Sequence, residues 1–389
     1  MSDAVPRPMC LEWLVTVSLM VAVPTALSAQ TVDDIAAPAP EPLEEPVAPL
    51  ANLSARLAYN SDRGALVGAS VQTDRLFGDH RLRFSIEASE EALRYNLAYA
   101  APELFGQNPQ LGLRLFAAQT VGGDSFDFDS QTVGFEPRLT WLLSDNAKLA
   151  AYVGLSWSEI DSVSPIASIL IRNNAGDRAR QVIGLDYDRS LGFGHGALQR
   201  LVYGVTAEIG QTDRDHEFTQ LSARFGAGWL LGAEDGIALR AQVRGATIIT
   251  TDGTSHIGDR LMLGSSTIRG FAFGGFGPRD LAVAGEPALG GNHFAAARVD
   301  AQFSGFDGAD RLLPGVFLDM GSLWGLDDNS GGLAGANPVD DGLQLRGSAG
   351  ITLDLQTAIG PITFSYAHPF ERESYDRVQE FGISYSRRF

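Results

Sequence analysis

The sequence predicts an all-β fold: a sixteen-stranded antiparallel transmembrane β-barrel with one long outer loop folded into its lumen. Three observations carry this. Apolar and polar residues alternate with period two over most of the chain beyond Leu50, the pattern of strands with two unlike faces. The alternating segments number sixteen, an even count that returns the chain to the side on which it began. Their polar face is strongly charged (Arg83, Arg94, Arg114, Glu136, Arg138, Glu208, Arg240, Arg244, Arg298, Asp300, Asp319). A dry core of a soluble sandwich or barrel would not tolerate that face, whereas a wet lumen would.

In chain order, the first element is an export signal. Trp13 to Leu27 is an apolar core, and Leu27-Ser28-Ala29 ahead of Gln30 is a small-residue cleavage site, so residues 1–29 read as a signal peptide. The alternative, an uncleaved anchor, is disfavoured by the short apolar run and Pro24. Residues 30–49 are acidic and carry Pro38, Pro40, Pro42, Pro46 and Pro49. Such a segment buries too little apolar area to offset its ordering entropy and reads as a disordered linker. Residues 50–389 form the barrel domain. Cys10, the sole cysteine, falls in the signal, so neither disulfides nor thiol chemistry is expected of the mature chain. The net charge of −18 excludes a nucleic-acid partner, because neutralising phosphates needs basic patches. Lys148 is the only lysine; arginine favours planar, multi-partner hydrogen bonding.

The strands are expected to start near Leu53, Ala65, His80, Ala92, Leu111, Val133, Leu149, Gln181, Leu201, Thr219, Ile237, Phe294, Gly315, Leu343, Pro361 and Val378. Around Leu149 the alternation is plain: Leu149, Ala151, Val153, Leu155 and Trp157 share one face, Lys148, Ala150, Tyr152, Gly154 and Ser156 the other. Short connections at Phe77-Gly78-Asp79, Ser144 to Ala147, Leu231 to Asp235 and Thr357 to Gly360 alternate with long ones such as Ser162 to Asp177, Thr250 to His293 and Trp324 to Gly342. Short periplasmic turns and long outer loops mark an outer-membrane barrel. Trp141, Trp157 and Trp229 fall near strand ends on the apolar face, where an interfacial girdle would place them. The last strand carries Phe381, Ile383 and Tyr385 on one face, ends at Phe389, and holds Gly382, which would loosen the closing strand pair.

No catalytic motif appears. The six histidines are scattered without ligand spacing, and no nucleophile elbow or phosphate loop is present. The chain is therefore read as no enzyme, with no cofactor and no metal site. What stands out is Thr250 to His293, with eight glycines between Gly264 and Gly291; a loop this long without strand pattern is usually functional. At its centre Arg269 is followed by Gly270 and Phe271. Strand phase places Asp319 with Phe317 and Gly321, and Asp300 with Arg298 and Gln302, on the inner face of adjacent strands. A guanidinium can donate to such a pair bidentately.

Leu263-Gly-Ser-Ser-Thr-Ile-Arg-Gly-Phe271 resembles the characteristic V/I-R-G-F/Y loop of the BamA/TamA-type outer-membrane assembly barrels, the bacterial surface antigen family. Gly277-Pro278-Arg279, Leu289-Gly-Gly-Asn292, Phe317 to Trp324 and Ile359 to Phe370 also match that family's pattern. Weaker similarity reaches back to Leu53. The resemblance implies that the loop folds into the lumen and that Arg269 pairs with acidic residues of the inner wall; Asp319 matches the family motif, and Asp300 stands near the position of a family glutamate. It further implies a terminal aromatic recognition signal at Tyr385 and Phe389. In that family periplasmic POTRA domains precede the barrel; here residues 30–49 stand in their place, so a variant without POTRA domains is expected. The implied function is assembly or insertion of outer-membrane proteins through a weak barrel seam, and the alternative a transport or secretion pore. A surface-structural or adhesive barrel is a third reading. Expected partners are outer-membrane lipids and lipopolysaccharide (the latter through acidic outer loops such as Gly123 to Asp129), together with nascent outer-membrane proteins or a POTRA-bearing partner.

Overall fold

A computed structural model describes residues 51–60, 64–73, 79–89, 92–102, 108–122, 128–212, 216–232, 236–304, 311–357 and 360–388. The expected signal peptide and linker, the outer residues 123–127 and Phe389 lie outside the described residues. The strands, numbered in chain order, are β1 (Asn52–Asn60), β2 (Gly64–Thr73), β3 (Arg81–Ala88), β4 (Ala92–Ala101), β5 (Gln110–Thr120), β6 (Asp129–Ser144), β7 (Ala147–Asp161), β8 (Gly176–Gly192), β9 (Leu198–Thr212), β10 (His216–Leu231) and β11 (Ile237–Asp252). There follow the two-residue β12 (Gly270–Phe271), then β13 (His293–Phe303), β14 (Leu312–Trp324), the short β15 (Ser330–Gly331) and β16 (Asn337–Pro338), β17 (Arg346–Thr357), β18 (Gly360–Glu371), the short β19 (Val378–Gln379) and β20 (Phe381–Arg388). All but the four short strands close into one sixteen-stranded antiparallel barrel in sequence order, β20 pairing with β1.

Period-two alternation separates the two faces, as the pleat dictates. Val153, Trp157, Ile183, Leu185, Val205 and Ile209 are exposed on the outer wall, a surface suited to lipid. No helix among the described residues is long and apolar enough to cross a membrane. The inner wall carries a ladder of ion pairs: Glu136 receives Arg114 at 3.3 Å and Arg138 at 3.1 Å, and Arg138 also reaches Asp186 at 3.1 Å.

The loop between β11 and β13 supplies the buried core. Its Leu261, Leu263, Ile268, Phe271 and Phe276 pack against Tyr152, Val182, Phe218, Ile248 and Phe294 of the wall. A second cluster joins Ile257 and Leu289 of the loop to Leu170 and Ile171. The latter two sit on a single-turn helix, α1 (Ile169–Arg172), which leaves no periodic signal in the sequence because one turn is too short to repeat. Burial of such apolar side chains contributes roughly 1.5–3 kcal/mol each, so the loop behaves as part of the fold.

Three expectations are corrected. Val378 does not start the last barrel strand: Val378 and Gln379 pair with Phe271 and Gly270, and the wall resumes at Phe381. The sequence pattern does not mark this break, because Val378 and Phe381 on either side of it are both apolar and both exposed. The eighth strand begins at Gly176, five residues before Gln181, since Arg178 and Arg180 continue the inner face above the apolar belt and bind the loop. The strand expected from Leu343 begins at Arg346, and Leu343 and Leu345 are exposed ahead of it.

Candidate functional site

The loop of residues 253–292 turns inward because it carries apolar residues that must be buried and glycines that let its backbone fold tightly. Gly270 has φ +92°, a conformation other residues rarely adopt; a β-carbon there would meet Pro369 Cγ at 3.0 Å. That turn aims Arg269 at the wall where β13 and β14 run side by side, with Arg298 opposite Asp319 and Asp300 opposite Phe317.

Arg269 grips both strands. Its Nε donates to Asp319 Oδ2 at 2.8 Å and its Nη2 to Asp319 Oδ1 at 2.7 Å, a bidentate fork. Nη1 donates to Asp300 Oδ1 at 2.6 Å, and the Arg269 backbone N–H adds a bond to Asp319 Oδ2 at 3.0 Å. The guanidinium carbon lies 3.6 Å from the centroid of the Phe317 ring, within cation–π range. Asp319 is fully buried, whereas the Asp300 side chain is 31 % exposed, so the Asp319 pair is the less screened of the two. Arg298 Nε also approaches Asp319 Oδ1 at 3.5 Å, and Arg244 and Arg298 both donate to the Ser266 carbonyl, at 2.7 and 2.9 Å. Phe271 is fully buried, edge-on to Phe276 at 5.3 Å. The structure thus brings together Arg269, Gly270, Phe271, Asp300 and Asp319.

It does not bring Gly382 or Tyr385 to that cluster. Gly382 pairs with Asn60 of β1 and Ser365 of β18, and Tyr385 with Leu57 and Ile362. Both belong to the closing strand pairs.

Two further anchors of the outer loops escaped sequence reasoning. Asp259 of the long loop is buried between Arg178, bonded through Nη2, and Arg180 Nε at 3.3 Å. Burial alone would raise its pKa, but the two arginines outweigh burial and hold it below the usual carboxylate value. Next to it His256 Nε2–H donates to the Asn174 carbonyl at 2.9 Å; burial first, and Arg178 second, push this histidine down to about 4. On the loop that precedes β20, Asp376 receives Arg346 Nε at 2.5 Å and Nη2 at 3.1 Å. In-phase arginines at 178 and 180, continuing the lumen face of Val182, were the available signal for the first. Nothing in the spacing of Arg346 and Asp376 marked the second.

A sixteen-stranded barrel with an arginine-bearing loop held inside it is an outer-membrane architecture, and the comparisons with known proteins agree. Residues 76–389 match the Omp85 superfamily domain, and the chain belongs to that superfamily. It is 24% identical over 342 residues to the outer membrane protein assembly factor BamA of Neorickettsia risticii, covering 86% of this chain and 45% of the relative. It is 30% identical over 143 residues to BamA of Neisseria meningitidis serogroup B, covering 32% of this chain and 18% of that protein. The chain thus spans less than half the length of the curated relatives it matches. The fold is similar to BamA from Haemophilus ducreyi lacking POTRA domains 1–3, with a TM-score of 0.67 and 18% identity over 87% of this chain and 70% of that one. It is also similar to CdiB from Escherichia coli, with a TM-score of 0.59 and 13% identity over 90% of this chain and 64% of that one. The protein is a BamA/TamA-type barrel of the bacterial outer membrane, from a superfamily of membrane barrels rather than of enzymes.

Proposed function

We propose that this barrel takes part in inserting or assembling other outer-membrane proteins, and that it does so by opening the seam between β1 and β20. The observation that carries this reading is the unevenness of the wall. The strands β6 to β11 are 15 to 17 residues long, while β20 has 8 and β1 has 9, as short as β3 with 8 on the same side of the barrel. The seam ladder runs only from Ser54↔Arg388 to Asn60↔Gly382, and β18 pairs with β20 only from Ile362↔Tyr385 to Tyr366↔Phe381. A spanning strand needs about 9–11 residues, so the closing strands stand at the lower limit. Gly382 adds no side-chain packing where the ladder ends. A parted seam would offer unpaired N–H and C=O groups as a template for an incoming strand. In this reading Arg269, Asp300 and Asp319 lock the loop so that the lumen keeps its shape while the seam opens. Nascent outer-membrane proteins, with or without a POTRA-bearing partner, are the proposed clients, and the surrounding lipids and lipopolysaccharide the medium.

Cysteines at Ala58 and Ser384, opposite one another across the seam, test it. Oxidation in cells depleted of the wild-type protein should lower the amount of folded outer-membrane proteins, and reduction should restore it. Undiminished assembly with the seam crosslinked would sink the mechanism. The second reading, a transport or secretion pore, draws on the wet, arginine-lined lumen. Large stable conductance in planar bilayers, raised by deleting residues 264–280, would favour it.

A further inference from the structure

A cavity of about 320 Å³ lies in the lumen, at the end of the barrel where the chain enters and leaves. Its floor is formed by the β6–β7 turn around Asp145 and Asn146, and its walls by β7 to β11 and β13. Five cationic side chains of the lumen face line it: Lys148, Arg200, Arg224, Arg240 and Arg298. The chain as a whole has 47 acidic and 29 basic residues, so this local excess of bases runs against its composition.

The carboxylates at the cavity are nearly all taken. Asp188 receives Lys148 at 3.2 Å and also Arg224. Asp300 is held by Arg269 at 2.6 Å, and Arg298 is turned to Asp319 and the Ser266 carbonyl. Asp145, exposed in the turn, makes no ion pair among the described residues. Two guanidiniums of the lumen face are left over, while Arg189, which also lines the cavity, reaches Tyr203 Oη at 3.5 Å. Arg200 donates only through Nε, to Ser190 Oγ at 3.1 Å. Arg240 has no hydrogen bond or ion pair among the described residues, although it stands across from Asp300 in the β11–β13 ladder.

The register sets these two side by side with a gap between them. Gly228 pairs with Arg200 on one side and with Arg240 on the other. The two arginines therefore stand two strands apart, roughly 10 Å between backbones, over a residue with no side chain. That spacing lets two planar forks converge on one oxyanion from opposite sides. Arginine forks match phosphate oxygens bidentately, and a phosphomonoester dianion offers three terminal oxygens and nearly two charges to a pair of them, where a carboxylate offers two oxygens and one charge. The Gln242 side-chain amide on the same wall and the open volume leave room for a polar group attached to the phosphate.

We propose that this cavity binds a phosphomonoester, with the phosphate held between Arg200 and Arg240 over Gly228. The proposal is independent of client insertion, because it concerns a lumen site that the seam does not touch. The test uses the full chain folded in zwitterionic detergent, titrated calorimetrically with inorganic phosphate and with glycerol 3-phosphate. Each charge-assisted contact removed should weaken binding about tenfold or more. Arg200→Gln and Arg240→Gln are therefore each expected to lose that much, and Arg94→Gln, a polar-face arginine of β4 outside the cavity, to stay within about twofold of wild type. Heat-shifted gel mobility confirms folding; if a glutamine variant fails to fold, Arg240→Lys, which keeps charge but loses the fork, should still weaken binding. Reconstitution in vesicles with and without phosphatidate separates a lipid headgroup from a soluble ester, and a preference for either supports a phosphomonoester site. Absence of saturable binding, equal binding of acetate, or an equal loss in Arg94→Gln would overturn the proposal.

Discussion

Replacing Arg269 with alanine removes three side-chain hydrogen bonds, at 2.6 to 2.8 Å, and the stacking on Phe317. Charge-assisted bonds contribute about 1.5–3 kcal/mol each, and breaking a buried ion pair costs about 3–5 kcal/mol because the surviving charge is stranded. Asp319 has no solvent exposure but is not left alone. The backbone N–H at position 269 remains at 3.0 Å and Arg298 at 3.5 Å. Asp300, already partly exposed, can rehydrate. The expected destabilisation of the docked loop is therefore at the lower end, about 3 kcal/mol, which corresponds to roughly a hundredfold increase in the opening equilibrium. Hydrogen exchange of the amides of residues 264–272 reads this directly: those that exchange by loop opening should exchange about a hundredfold faster. The double variant Arg269→Ala, Asp319→Ala should be less destabilised than the sum of the single variants, since no buried carboxylate is then stranded. Strict additivity of the two, or unchanged exchange in Arg269→Ala, would refute the reasoning.

Arg346→Ala strands the buried Asp376 carboxylate and should loosen residues 372–380 by about 2–4 kcal/mol, read as earlier cleavage there in limited proteolysis. Gly270→Val forces a β-branched residue into φ +92° against Pro369 and Ala367; a cost of about 1–3 kcal/mol should appear as a lower midpoint of the heat-modified gel shift. His256 supplies a pH dependence. Its folded-state pKa of about 4 lies below the ordinary value of 6.5, so the opened loop binds a proton first as pH falls. The stabilisation is complete above about pH 6.5, falls between 6.5 and 4, and levels off below 4, a total of about 3 kcal/mol. Arg178, Asp259 and Arg260 face this histidine, and Asp259 titrates below that window. The protection factors of the surrounding amides, measured relative to intrinsic exchange rates that themselves fall with pH, should therefore drop from pH 6.5 to 4 in wild type and show no such slope in His256→Gln.

Strand number and the inner and outer faces were legible because a barrel wall writes period two along the whole chain. Strand phase put Asp300 and Asp319 on one face of adjacent strands, where Arg269 is found bonded to both. What escaped was whatever depended on pairing between distant loops. Arg346 and Asp376 are thirty residues apart with no intervening periodicity, and Arg178 and Asp259 are further still. Val378 misled because a two-residue strand carries the same apolar alternation whether it joins the wall or a loop. Strand boundaries drifted wherever the wall rises beyond lipid, as at Arg178, since the outer face there no longer has to be apolar.

The corrected position of Val378 changes what the loop does to the seam. Gly270 and Phe271 pair with Gln379 and Val378, Ala272 N–H donates to the Arg377 carbonyl at 2.9 Å, and Arg377 N–H donates to the Gly275 carbonyl at 2.8 Å. Glu380 accepts from Ala367 N–H at 2.8 Å, and the very next residue, Phe381, begins the strand that closes the barrel. The anchor of Arg269 and the seam strand are therefore joined through about two residues of backbone. The outer end of β20 continues directly from the stretch that pairs with the loop and holds the Arg346–Asp376 pair, whereas beyond Tyr385, toward Arg388, its ladder runs to β1 and no longer to β18. Each backbone bond contributes about 0.5–1.5 kcal/mol, so the two ends of one short seam are held with unequal strength. Under the proposed seam-opening reading, a strand fixed at its outer end and weakly held at its inner end would part from β1 without releasing the loop. The arginine motif and the closing strand are, on these contacts, one mechanical unit.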